Sequence, residues 1–326
     1  MYYPNREIED ICYKGDHIEK VLCEMKNGFP RYFDQFLETE AGNKISGKKH
    51  KEIAKELGNT KNYESLKLPN QAAVFKRIIS EAINEFEKDR PTYKAILDLE
   101  ALDEYDDDPS NFKNSVLKNT CPIIRVTLQN KRAKELDKYR AEFSNSDPND
   151  LLTVVKNLTN FAIDYLTNTY DKETYEKISQ LKEMCLSDLD GDNYTVYGVI
   201  GGGIKSHFLY KLNPSVFPNR NRESIWALWY LTDKKTFDCV QDSEFLMLDL
   251  NKNKTQQNYF YPYELFAFYA YHIYLLLKKE ANKYDIQLDK DYRYVLVHTF
   301  LSFIANLHSE DIDLLKSSDS EDGYGY

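Results

Sequence analysis

Residues 259–277 read YFYPYELFAFYAYHIYLLL, the most apolar run of the chain. A bilayer-spanning helix needs about 20 predominantly apolar residues, and this run is shorter and carries Glu264 and His272. It therefore reads as a helix buried in a protein core, extending over 262–283, with a second C-terminal helix at 291–307. No membrane association is expected.

Upstream, Ile8, Ile11, Ile18, Val21, Leu22 and Met25 recur at helical spacing and Phe33, Phe36 and Leu37 follow, which predicts helix over 5–40. Further helices are predicted at 51–58, 70–88, 150–168, 172–186, 204–212 and 221–231. The run CPIIRVTLQ (121–129) fits either a strand or the start of a helix. Short strands are expected around 194–200 and, from TFDCV and EFLMLDL, within 236–250. The fold class is mainly α, with two helical lobes and a few short strands. The turn composition of SNSDPND (144–150) marks the boundary. It separates an N-terminal helical domain with a basic linker (1–145) from a mainly helical C-terminal domain with a glycine-rich hairpin (150–315). The polar tail 316–326 is expected to be disordered.

The net charge of −10 opposes a grip on nucleic acid by the whole surface, while leaving room for a local basic patch. Cys12, Cys23, Cys121, Cys185 and Cys239 are dispersed, without a Cys-x-x-Cys pair or a His at zinc spacing. Together with a start (MYYPNREIED) that lacks a secretory signal, this suggests reduced thiols and a cytoplasmic location. Tyrosine is abundant, 26 against 17 Phe. Such residues bury a ring and keep a hydroxyl that needs a partner, so the Tyr-rich C-terminal helices are a candidate surface for a protein partner or a homodimer. An AT-rich coding sequence would enrich tyrosine too.

The run 197–220, YGVIGGGIKSHFLYKLNPSVFPNR, is the richest in functional signals. Three glycines ahead of a helix gather backbone N–H groups suited to an anion, and Lys205 and Ser206 fall in the first turn. A Walker A loop needs Gly directly before the Lys-Ser pair, where Ile204 stands. A dinucleotide fingerprint needs Gly or Ala at Ser206 and an acidic residue ending the next strand. The run resembles instead the helix-hairpin-helix motif of DNA-repair and related proteins, matched by Ile200, Gly201, Gly203 and Ser206 in order. That resemblance covers about 25 residues and implies that Gly201, Gly202, Gly203, Lys205 and Ser206 hold a DNA phosphate, with Arg220 and Arg222 flanking it. It departs at His207, where a small residue is usual, and FPNRNRES (217–224) has no counterpart of the glycosylases' catalytic Asp.

Three weaker signals lie elsewhere. KKHKEIAKELGNTKN (48–62) resembles the first half of a helix-turn-helix, with Lys48, Lys49, Lys51 and Lys55 as a secondary basic patch, but Glu64 stands where an apolar anchor belongs. Arg293 and His298, in RYVLVH, share the Arg-x-x-x-x-His spacing of HEPN-type ribonucleases, a resemblance that implies metal-independent RNA cleavage at a dimer cleft. Asp98, Glu100 and Asp103, in the acidic stretch 98–108, are the only candidates to hold Mg2+ if the protein is a nuclease. The sequence thus points first to a nucleic-acid-associated protein, with DNA as partner and a nuclease or antiviral-defence role in view. A HEPN-like ribonuclease and a non-catalytic helical interaction module are the alternatives.

Overall fold

A computed structural model describes residues 8–38, 70–239, 243–249 and 254–317. The protein is mainly α-helical, with one two-stranded antiparallel sheet among the described residues. The principal helices are α1 (Gly15–Glu38), α2 (Gln71–Glu87), α3 (Arg90–Ile96), α4 (Leu99–Asp103), α5 (Pro122–Gln129), α6 (Asp137–Asn145), α7 (Pro148–Asp164), α8 (Gly202–Leu212) and α9 (Arg222–Leu231). Strands β1 (Leu246–Asp249) and β2 (Lys254–Gln257) follow, paired from Leu246↔Gln257 to Asp249↔Lys254. Helices α10 (Tyr263–Lys283), α11 (Arg293–Leu307) and α12 (Ser309–Lys316) complete the chain.

Helix α11 is mostly apolar apart from one stripe (His298, Thr299, Ser302, Asn306), so several of its faces have to be covered by other helices. It packs against α9, α10, α2 and α1. Its buried residues, among them Val295, Val297, Phe300, Leu301 and Ile304, lie on several faces. Helix α1 reaches the same centre, and Phe29 and Phe36 meet Phe300 with ring centroids 5.2 and 5.4 Å apart. The approach of α1 to α9 is close enough to demand a glycine: a Cβ on Gly28 would stand 2.1 Å from the Leu231 carbonyl oxygen. Phe143 before the 144–150 turn and Leu151 after it belong to one buried cluster, which runs from Cys12 to Ile312.

From Tyr263 onward the run 259–277 forms the expected buried helix, and no helix among the described residues is long and apolar enough to cross a membrane. The ambiguous 121–129 run is helical, with Pro122 in its first turn. At 172–186, however, the expected helix is replaced by the 3-10 turns Tyr175–Lys177 and Leu181–Met184. Tyr175, Ile178, Leu181 and Met184 recur every third residue, the period of a 3-10 turn, whose runs stay short. Glu183 also draws the backbone N–H groups of Ser179 and Gln180 at 2.7 and 2.9 Å, which ends one turn and starts the next. Residues 236–239 of the TFDCV run form no strand either, because Phe237 and Asp238 adopt φ of 54° and 64° and turn the chain. Residues 194–200 contribute an isolated bridge, Val196↔Ile200. The 51–58 helix, Lys48, Lys49, Lys51, Lys55 and the tail beyond 317 lie outside the described residues.

The tyrosines have a specific use. Segment 213–221 is irregular yet largely buried, so its carbonyls need donors that no helix ladder supplies. Tyr175 Oη donates to Val216 O (3.3 Å), Tyr263 Oη to Pro218 O (3.1 Å), and Arg293 Nη1 to Ser215 O. The Tyr294 N–H adds a bond to Pro214 O at 2.9 Å. Aromatic rings fill the core here while their hydroxyls cap a loop, and that loop delivers Arg220.

Candidate anion-binding site

Gly201 caps α8 in extended conformation and Gly202 begins the helix. The first N–H groups of a helix have no intrahelical acceptor and carry the positive end of its dipole. Across this terminus lies Arg220, only 4% exposed. A Cβ on Gly202 would stand 2.0 Å from Arg220 Nη1, so the glycine is what lets the guanidinium lie on the start of the helix. Gly201 and Gly203 differ: a Cβ on either meets nothing within 4 Å, and neither has positive φ. Packing and backbone geometry leave both positions free to carry a side chain.

Arg220 is partly satisfied. Nη2 donates to Asn258 O (3.1 Å) and Tyr259 O (2.7 Å), whereas the buried Nε has no partner. Burial lowers its pKa to about 10, against the pull of Asp190, Tyr261 and Tyr263. Lys205, also 4% exposed, points inward, donating to Leu189 O and standing 3.4 Å from Thr195 Oγ1. Burial pushes its ammonium down to about 8, with Asp190 opposing that shift and Arg220 adding to it. The carboxylate of Asp190 is itself engaged, accepting the Tyr263 N–H at 2.8 and 3.1 Å as a cap on α10. Two buried cations thus face one carboxylate at an open helix N-terminus.

This geometry changes the roles expected from the sequence. Lys205 and Ser206 do not project into the first-turn opening. Ser206 Oγ accepts the Arg220 N–H at 3.0 Å and ties the two segments together from inside. Arg222 is exposed on the first turn of α9, which Asn221 caps through Ser224 N at 2.8 Å. Three exposed aromatic side chains, which apolar patterning alone does not single out, belong to segments next to these residues in the chain or bonded to them. Tyr259 is 52% exposed, Phe260 41% and Tyr197 61%. Tyr259 adjoins Arg220 through its own carbonyl, and Tyr197 lies in the turn entering the glycines.

The other candidates do not assemble into sites. Arg293 is 1% exposed, its guanidinium carbon 4.5 Å from the Tyr175 ring centroid and 4.9 Å from that of Tyr274. His298 packs edge-on to Tyr210 at 5.5 Å, and burial lowers its pKa to about 4. Arg293 thus lies inside the core and His298 is half-buried beside it. In the acidic stretch, Asp98 caps α4 through Ala101 N at 3.0 Å, Asp103 pairs with Lys156 at 2.7 Å, and Glu100 is exposed. Among the described residues none of the three belongs to a group poised to hold a metal. No protein-family model, curated protein or solved structure matches this chain.

Proposed function

We propose that this protein binds nucleic acid, seating a backbone phosphate on the N-terminus of α8 and stacking unpaired bases on Tyr197, Tyr259 and Phe260. The observation that carries the reading is the unsatisfied Nε of buried Arg220, lying over a helix start where Gly201 and Gly203 face open space. A phosphate there meets the helix N–H groups and the dipole. It also supplies the negative charge that Lys205 and Arg220 lack from Asp190 alone. The exposed aromatics favour a single strand over a closed duplex, because bases can stack on them only once unpaired, at about 1–3 kcal/mol per base. The net charge of −10 also disfavours the long electrostatic footprint of a duplex. DNA is the proposed strand, and the proposal concerns binding, not cleavage.

The test is binding of a labelled DNA single strand, its duplex and the RNA of equal sequence across a salt series. The single strand should bind most tightly, with a shallow salt slope of roughly −0.7 for each phosphate neutralised. Gly203→Asp puts a carboxylate at the open helix start, where the dipole tolerates it but a phosphate does not. It should abolish binding while leaving the fold intact. Binding that survives Gly203→Asp, or no binding at low salt, would remove this assignment.

A further inference from the structure

A second cluster lies away from α8, where the entry to α1 meets the loop after α9. Cys12 Sγ, Cys239 Sγ and a ring nitrogen of His17 lie within 4.8 Å of one another. The two sulfurs are 3.9 Å apart, far beyond a bond of about 2.05 Å. A zinc ion with Zn–S bonds of about 2.3 Å sets its tetrahedral S···S edge at about 3.8 Å. The thiols therefore already stand at the separation of two ligands on one ion. Cys12 is fully buried, His17 is 1% exposed, and Cys239 is half-buried.

The histidine supplies the independent observation. Its Nε2 is held by Glu244 Oε2, and its buried Nδ1 has no partner. Whichever protonation state the ring adopts, Nδ1 is an unsatisfied buried polar atom, which is costly to leave so. A metal-ligating imidazole typically has one nitrogen on the ion and the other hydrogen-bonded to a carboxylate that fixes the ring. Glu244 is fixed in turn. Tyr261 Oη donates to its Oε1 at 2.8 Å, and Asn258 Nδ2 to its backbone oxygen at 3.2 Å.

We infer that Cys12, Cys239 and His17 Nδ1 form a binding site for one Zn2+ ion, with Glu244 as the positioning residue behind the histidine. Two thiolates neutralise the ion, so a buried site carries little net charge. Three protein ligands leave a fourth position on the half-buried Cys239 side for solvent. The ion clips the start of α1 to a loop 227 residues away.

The test uses the full-length chain purified under reducing conditions. Metal analysis should find one zinc per chain, and Co2+ added to the stripped protein should give a thiolate-to-cobalt charge-transfer band. Cys239→Ser should lose the zinc and the band while remaining helical. Glu244→Gln should keep the site with affinity for Zn2+ about 10- to 100-fold weaker. Failure to take up one equivalent of Zn2+ would overturn the assignment. So would zinc undiminished in Cys239→Ser, or a Cys12–Cys239 disulfide in place of two free thiols.

Discussion

The Arg220 guanidinium lies against Gly202, so that a Cβ on the glycine would stand 2.0 Å from Nη1 and 2.9 Å from Cζ. One residue on, a Cβ on Gly203 would meet nothing within 4 Å. Neighbouring glycines in one turn thus serve different ends, one making room inside the protein and the other leaving backbone open to the outside. Gly202→Ala should push Arg220 off the Asn258 and Tyr259 carbonyls and cost about 1–3 kcal/mol, the usual range for overpacking. Chemical denaturation measures it. A loss near zero would mean that the guanidinium swings aside freely.

Gly203→Ala makes the opposite prediction. With no clash, the change removes a glycine from a helix and should raise stability by up to about 1 kcal/mol. If a phosphate approaches this backbone, the same methyl group should weaken strand binding. A variant more stable than the parent and poorer at binding DNA separates ligand contact from folding. Unchanged affinity would argue that nothing approaches Gly203.

Lys205 gives the site a pH signature. Its folded-state pKa of about 8 lies below the ordinary lysine value of 10.5. Between those values the unfolded chain holds a proton that the folded chain lacks, so stability rises with pH over that window. The gain is on the order of 3 kcal/mol across the full interval, at 1.36 kcal/mol per pKa unit. The readable part is pH 8–9.5, before tyrosines ionise in the unfolded chain. Lys205→Met should be flatter there and more stable at pH 7. Strand affinity should fall above pH 8, as the ammonium loses its charge.

Three histidines set the acid limit. Burial holds His207 down to about 3 and His272 and His298 to about 4. Each has a buried ring nitrogen without a partner: Nε2 of His207, Nε2 of His272 and Nδ1 of His298. A proton taken up there is an uncompensated interior charge. The folded pKa values lie below the unfolded one near 6.5, so this stability is complete above pH 6.5 and is lost as pH falls toward 4, and for His207 toward 3. Unfolding midpoints should drop steeply over that range. His298→Gln should reduce the steepness, and an unaltered profile would place the loss elsewhere.

What could be read from sequence was what is local. The apolar periods of 70–88 and 262–283 gave helices within a residue of α2 and α10, because those patterns depend on neighbours three and four positions away. The glycine triplet was likewise visible as a helix start. The directions of Lys205 and Arg220 were not, since their partners are supplied by Leu189, Asn258 and Tyr259. Charged residues default to the surface in any composition argument. Cys12 and Cys239 stand 227 residues apart, so their approach is not local either. Zinc-ligand spacing is legible only within short windows, and these thiols are joined only by the path of the chain through α1 and α9.

Arg293 provides the clearest contrast between a structural and a catalytic reading. Its Nη1 bonds the Ser215 carbonyl, and its Nη2 stands 3.5 Å from Glu176 Oε1. The Tyr175 and Tyr274 rings both lie within cation–π distance of it. Arg293→Met should therefore destabilise the protein by about 3–5 kcal/mol, the cost of removing one partner from a buried charged pair. Arg293→Lys should fall between the two, keeping the charge but losing the planar fork that reaches both partners. A loss below about 1 kcal/mol would show that Tyr274, which donates to Glu176 at 2.7 Å, and Lys278 satisfy that carboxylate unaided. In that case the loop 213–221 should still hold Arg220 over Gly202, and strand binding should survive the substitution.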